Sequence, residues 1–182
     1  MNALPDEVIP VREGVALTAF APDDAAVIHA AVDDVEIRRW LPLPRPYPLE
    51  LAADWSTRVA ETIRTSGSGL VRCIRAGERM AGCIDVKRVD WRARTAELGY
   101  WLSPAHRGRG LAAGAVDALA SWLIDAHAFE RVELRIATGN AASTRVAERA
   151  GFVYEGTARN AGFTDGGRVD LGIWSRIASD RR

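Results

Sequence analysis

The residues best suited to chemistry are Arg107-Gly108-Arg109-Gly110-Leu111-Ala112. They lie between a strand expected over 95–102 and a helix expected over 111–127. A glycine-rich turn that opens a helix gathers backbone N–H groups. Their partial positive charge adds to that of the helix N-terminus, so such a place binds phosphate. Gly108 and Gly110 let the backbone approach a ligand, because no Cβ intervenes. Arg107 and Arg109 add charge at the same spot. A phosphorylated cofactor is therefore expected here. A nucleoside-triphosphate loop needs Gly-Lys-Ser/Thr, and Leu111 after Gly110 rules that out. The G-x-G-x-x-G/A pattern of dinucleotide sites fits Gly108 to Ala113 only loosely. Ser103 to Arg107 separate the strand from the turn, little βα alternation follows, and the acid about twenty residues on, Asp125, falls in a helix.

The elements that must hold this turn are legible in the pattern. Val15 to Phe20 reads as a first strand, and Pro22-Asp23-Asp24 opens a helix running to about Val32. Prolines exclude regular structure from Trp40 to Pro48. Leu51, Trp55, Val59 and Ile63 recur every four residues, which predicts an amphipathic helix over 49–64. Leu70 to Ile74, Met80 to Val89 and Thr95 to Leu102 read as an antiparallel meander. Leu111, Ala115, Leu119, Trp122 and Leu123 mark the apolar face of helix 111–127. Arg131 to Ala137 alternates strictly, as a half-buried strand does. Asn140 suits an N-cap and Gly151 a C′ position around a helix 141–150. Phe152 to Ala158 and Val169 to Ile177 form a last hairpin around 162–167. The order β-α-α-β-β-β-α-β-α-β-β predicts a mixed α/β domain spanning 1–182, with helices on both faces of one sheet. Strand 95–102, helix 111–127 and strand 131–137 form a right-handed parallel unit.

Composition removes several classes. Basic and acidic residues balance, 24 against 24, so nothing suggests nucleic acid as a bulk electrostatic partner. No apolar run approaches the roughly 20 residues of a membrane span. The start, Met1 to Glu7, has no basic or apolar leader region, and a cytoplasmic location is expected. Cys73 and Cys83 lack zinc-site spacing and read as buried thiols. His29, His106 and His127 are scattered without a partner at metal spacing, so no metal is expected and all three read as structural, with His106 near the phosphates.

The loop does not stand alone. Ala96-Glu97-Leu98-Gly99-Tyr100-Trp101-Leu102 precedes it. Asn140-Ala141-Ala142-Ser143 follows, and then Glu148-Arg149-Ala150-Gly151-Phe152 with Glu155-Gly156. Arg107 to Ala112 matches the Q/R-x-x-G-x-G/A loop of the GNAT N-acetyltransferase family. With the flanking motifs the chain resembles its RimJ/RimL-like branch from Val15 to Ile177. The resemblance implies a GNAT-like fold, a largely antiparallel sheet with a central parallel pair splayed by a bulge in strand 95–102. It implies acetyl-CoA or another acyl-CoA as co-substrate. The pyrophosphate would lie on the amides of Gly108, Arg109, Gly110, Leu111 and Ala112. The pantetheine arm would pair with the backbone of Tyr100 to Leu102, Asn140 would bond to the arm, and Arg145 would reach the outer phosphates.

Acyl transfer from a thioester to an amine requires a deprotonated amine, a stabilised carbonyl oxygen and a protonated leaving thiolate. By the resemblance Glu97 is the candidate base, and Ser143, of the Asn-x-x-Ser motif, the candidate acid. The Leu102 N–H is the candidate donor to the carbonyl oxygen. Trp40, Tyr47 and Trp55 are candidates to line an acceptor pocket. Trp91 and Phe163 sit in turns, open to a substrate or a second subunit. Asp85 and Asp90 read as solvated. The expected activity is transfer of acetyl to a primary amine, on a protein N-terminus or a small molecule. Succinyl-CoA as donor and a non-catalytic CoA-binding module remain alternatives. A homodimer follows family habit.

Overall fold

The alternation over 131–137 is realised in full. Val132, Leu134 and Ile136 are buried and the residues between them are half-buried. The computed structural model describes residues 2–180. Its strands are β1 (Ile9–Arg12), β2 (Val15–Thr18), β3 (Leu70–Ala76), β4 (Arg79–Asp90), β5 (Thr95–Leu102), β6 (Arg131–Ala137), β7 (Val153–Thr164) and β8 (Gly167–Ile177). Its helices are α1 (Asp24–Ala31), α2 (Val35–Trp40), α3 (Leu49–Asp54), α4 (Ala60–Thr65), α5 (Leu111–His127) and α6 (Ala141–Arg149). The strands form one sheet ordered β1-β2-β3-β4-β5-β6-β8-β7, in which β5 and β6 run parallel and all other neighbours antiparallel. No helix among the described residues is long and apolar enough to cross a membrane.

Helices cover both faces, as the pattern predicts. Leu111, Ala115, Leu119 and Leu123 of α5 bury against Leu17, Ile84, Leu98 and Leu134 on one face. On the other, Ile28 and Ala52 pack on Val71, Cys73 and Cys83. Burial of a leucine-sized side chain stabilises by about 1.5–3 kcal/mol, so α5 is the main anchor of the sheet. Both cysteines are free and buried, as expected.

Five features differ from the sequence reading. The last hairpin is longer than expected: β7 runs to Thr164 instead of Ala158, so Phe163 lies in a strand and not in a turn. The edge strand β1 was not expected, because Pro10 breaks its pattern and only an edge tolerates a proline. The first predicted strand ends at Thr18, not Phe20. Helix α2 was also missed. Its N-cap is Asp34, whose carboxylate accepts from the amides of Glu36 and Ile37. The helix expected over 49–64 is α3 and α4 joined by a π-helical turn at Trp55–Val59. A four-residue repeat overshoots the 3.6-residue turn, and the wider π turn returns the apolar residues to one face.

Candidate functional site

The loop between β5 and α5 has the predicted conformation. Gly108 and Gly110 both sit at φ +74°, and open space lies where a Cβ would stand. Gly110 is the N-cap of α5 and offers no side chain to its amides. Among the described residues, none of the backbone N–H groups from Gly108 to Ala113 has a hydrogen-bond acceptor. Six consecutive free donors at the start of a 17-residue helix form a ready anion cradle. The buried side chains of Leu111 and Ala112 fix its floor.

Its charges are arranged differently from the expectation. Arg107 does not point at the cradle. It forms an ion pair with Asp34, and its Nε donates to the carbonyl of Leu102 at 3.2 Å. Arg107 therefore ties the missed helix α2 to the end of β5, and its hydrogen bond holds the Asp34 carboxyl below the usual range. Arg109 is exposed, and so is Arg79 on β4; neither has an ion-pair partner among the described residues. Arg12 donates to the Arg109 carbonyl at 3.3 Å. Gly114 allows this approach: a Cβ there would lie 3.1 Å from Val11, so β1 packs closely on α5. Sequence reasoning missed Arg12 and Arg79, because only the sheet brings the β1 end and the β3–β4 turn to this loop. His106 sits among them, bonded to the Ser103 hydroxyl at 2.8 Å. Burial, then Arg109 and Arg79, lower its pKa.

A gap opens beside the cradle. The β5–β6 pairing ends at Leu98↔Leu134, yet β5 continues to Leu102 and β6 to Ala137. Ser103 N donates to Ala81 O, which fixes the alternation of the β4–β5 ladder. By that alternation, the N–H and C=O groups of Tyr100 and Leu102 turn away from β4 into the gap. On β6, Thr138 N donates to Asp170 O, so Ala137 turns its N–H into the gap from the other side, while its C=O accepts from Asn140 N at 2.8 Å. No bulge in β5 produces the splay: the β4–β5 register is even from Gly82↔Leu102 to Lys87↔Glu97. The irregularity lies instead in β4, between Lys87 and Asp90, where Arg88 has φ +50°.

That irregularity shapes the proposed base. Glu97 is buried and points to the face opposite α5. The extra residue in β4 lets two successive side chains reach it. Lys87 Nζ lies 3.4 Å and Arg88 Nε 3.2 Å from its oxygens. Asp85, expected in solvent, is half-buried on the same face, and burial, with Glu97 adding to it, pushes its carboxyl up.

The proposed acid sits on the α5 side. Asn140 caps α6 by accepting from Ser143 N at 3.1 Å, which uses one acceptor position of its Oδ1 and leaves the second, with the Nδ2 end, for a ligand. The Ser143 hydroxyl does not bond to the helix backbone and faces the buried hydroxyl of Tyr100. Among the described residues that hydroxyl has no well-formed hydrogen bond, and burial pushes its pKa up to about 12. It keeps its proton near neutrality. The Tyr100 side chain was missed, since only its backbone was considered. Arg145 is exposed on α6.

At the far end of the gap an open groove of about 510 Å³ runs between Trp40, Thr138, Gly139, Thr164 and Asp170. An ion pair from Arg45 to Asp165 ties the proline-rich loop to the β7–β8 turn beside it. Tyr47 and Trp55 instead pack against the second core cluster. Trp91 donates to Gly67 O and packs against Phe129 with the rings tilted by 59°, a structural role. Phe163 is exposed.

Comparison with known proteins agrees with this arrangement. Residues 15–153 match the family model described as the acetyltransferase (GNAT) domain. The chain is 26% identical over 175 residues to the ribosomal-protein-serine acetyltransferase of Escherichia coli (strain K12), covering 94% of this chain and 97% of that protein. Its fold superimposes on RimL, a ribosomal L7/L12 alpha-N-protein acetyltransferase in complex with coenzyme A. The TM-score is 0.87, with 22% identity over 96% of this chain and 100% of that one. It also superimposes on the microcin C7 self-immunity acetyltransferase MccE in complex with acetyl-CoA and AMP, with TM-score 0.85, 20% identity, and 92% and 94% coverage. A match to the acetyltransferase model over most of its length, on a sheet that parts beside a cradle of free amides, makes this chain a member of the GNAT acetyltransferase family.

Proposed function

We propose that this acetyltransferase modifies the N-terminal amine of a protein chain, with Glu97 and Ser143 handling the protons. The observation that carries the acceptor class is the open groove, which starts at Ala137 on the β6 wall of the gap and has room for an extended peptide. The ribosomal-protein-serine acetyltransferase among its relatives supports the same acceptor.

The site fits acetyl-CoA: six free amides suit a pyrophosphate, and the N–H groups of Tyr100, Leu102 and Ala137, with the Tyr100 carbonyl, suit an amide-bearing arm. Asn140 Nδ2 and Arg145 are further candidates to hold it. Bound there, acetyl-CoA supplies an acyl carbon activated by its thioester. The Leu102 N–H, turned into the gap, is the proposed donor to the carbonyl oxygen. Glu97 receives the amine proton from the groove side. Ser143 gives a proton at Oγ, with the Tyr100 hydroxyl behind it to replace that proton.

The two loop arginines separate two roles. Arg109→Ala is expected to weaken acetyl-CoA binding about ten- to a hundredfold, the worth of a charge-assisted hydrogen bond. Arg107→Ala is expected to cost about 1–2 kcal/mol of stability with a smaller effect on affinity. The folded pKa of Asp34 is depressed, so this stability is present above the ordinary carboxylate range and fades as pH falls through the lowered value. Calorimetry and thermal melts of both variants between pH 7 and about pH 3 check this. Equal losses of affinity would undo the division of roles.

His106 gives a second test. Its pKa is lowered in the free protein, and phosphate beside it would raise it. Acetyl-CoA affinity is therefore expected to rise as pH falls from about 7 to 5.5, with proton uptake on binding. His106→Asn should abolish the uptake.

The function itself is tested by calorimetry with acetyl-CoA and succinyl-CoA, then by thiol release with a peptide bearing a free N-terminal serine, against spermidine and small amines. Turnover with the peptide supports the proposal. Turnover with small amines alone would overturn the acceptor. CoA binding without turnover on any amine would favour a binding module.

A further inference from the structure

The 24 basic residues of the chain include a single lysine, Lys87. Every other side-chain cation is an arginine, whose guanidinium keeps its proton and is no nucleophile near neutrality. Lys87 is thus the only side-chain amine in the sequence, and it stands at the gap. Its Nζ lies 2.9 Å from the point where a Cβ on Gly99 would sit, and Asp85 Oδ1 lies 2.6 Å from the same point. Gly99 is the first residue of β5 beyond the last β5–β6 pair. The missing side chain at Gly99 therefore makes the space in which an amine and a carboxylate meet, over the place where the two strands part. Lys87 is 46% exposed, so its stem is free to swing, and its one ion-pair partner among the described residues is Glu97, at 3.4 Å. Arg88 already supplies Glu97 with a cation at 3.2 Å, so charge balance alone does not call for a lysine.

We propose that Lys87 is an internal acceptor of the enzyme, its Nζ taking an acyl group from the thioester bound in the same molecule. The inference rests on the acetyltransferase reading above. Asp85, whose carboxyl is pushed up by burial, takes one proton from the Lys87 ammonium. The neutral amine then forms a C–N bond to the acyl carbon. The C–S bond breaks, and the sulfur leaves with the bonding pair and takes up the second amine proton. The products are an Nε-acyl-lysine and the free thiol. The modified side chain has no charge, so Glu97 keeps only Arg88 and Asp85 loses its neighbouring cation. Acylation at Lys87 thereby changes the electrostatics around the proposed base.

The test is to incubate the purified chain with acetyl-CoA and map acetyl groups by peptide mass spectrometry. Acetylation of Lys87 is expected at a rate independent of protein concentration, at least about a hundredfold faster than in the same protein unfolded in urea, since placement supplies the whole advantage. Lys87→Arg, which keeps the charge, should show none at that position. A second readout needs no turnover. Coenzyme A without an acyl group, at about 100 times its Kd, should slow labelling of Lys87 by an amine-reactive ester by about tenfold or more. Suppose Lys87 stays unmodified, or reacts no faster than in urea, in a sample that acetylates the seryl peptide. The internal acceptor is then wrong and the enzyme reading stands. Labelling that coenzyme A does not slow overturns the placement of the amine. A sample that binds no coenzyme A by calorimetry removes the reading on which the inference rests.

Discussion

Glu97→Gln is expected to lower kcat for peptide acetylation by about a hundredfold or more, within the range a positioned proton acceptor contributes. The Kd of acetyl-CoA should change by less than about twofold. The two effects separate because Glu97 points to the face opposite α5, while the cradle amides belong to the start of α5. The substitution preserves shape and removes one charge beside Lys87 and Arg88, which remain. Ser143→Ala should cost less, about tenfold, because the Tyr100 hydroxyl lies next to it. Stopped-flow turnover with calorimetry on the same samples tests the pair. If neither variant slows turnover by more than about threefold, the proton roles assigned here are wrong.

Gly82→Ala should be the most damaging conservative change near the site. A Cβ on Gly82 would overlap the carbonyl oxygen of Trp101 and stand 2.9 Å from the Cα of Leu102. Both are backbone atoms, so no rotamer change relieves the clash. The only escape is to push the end of β5 off β4, at a cost of about 3 kcal/mol or more. For a chain of this size that lowers Tm by roughly 6–12 °C. The displaced segment is the wall that presents Tyr100 and Leu102 to the gap, so acetyl-CoA affinity should fall at least about tenfold as well. Gly77→Ala is the contrast. Its Cβ meets open space, and only its φ of +59° is strained, so it should cost about 1 kcal/mol and leave affinity alone. Thermal melts and calorimetry on both variants check the prediction. A Gly82→Ala protein with unchanged affinity would show that the end of β5 is not part of the cofactor wall.

Much of the site was legible in the residues. Gly108 and Gly110 announce a backbone that only glycine adopts easily, and both have the expected positive φ. Asn140 announces a cap and makes it. Local rules of this kind depend on a few neighbouring residues, so the sequence contains them entire. The direction of Arg107 is a different matter. A loop arginine beside a phosphate cradle reads as a phosphate ligand, yet it pairs with Asp34, 73 residues away. Only the position of α2 decides between those partners. The register of β4 has the same character. A bulge in β5 was expected and the irregularity lies in β4, because pairing errors are settled across strands and not along one.

The sequence by itself determined the element order from β3 onward, the parallel β5–β6 unit, the cradle and the acetyltransferase family. Each of these is written in periodicity, glycine placement or short motifs, which act over one or two turns of chain. Tertiary structure alone decided where charge stands. It drew Arg12 and Arg79 to the loop, set Tyr100 beside Ser143, and gathered Asp85, Lys87, Arg88 and Glu97 around Gly99. The physical reason is that a side chain's partners are fixed by sheet order and register. These bring together residues remote in sequence, and no local pattern encodes which of them will meet.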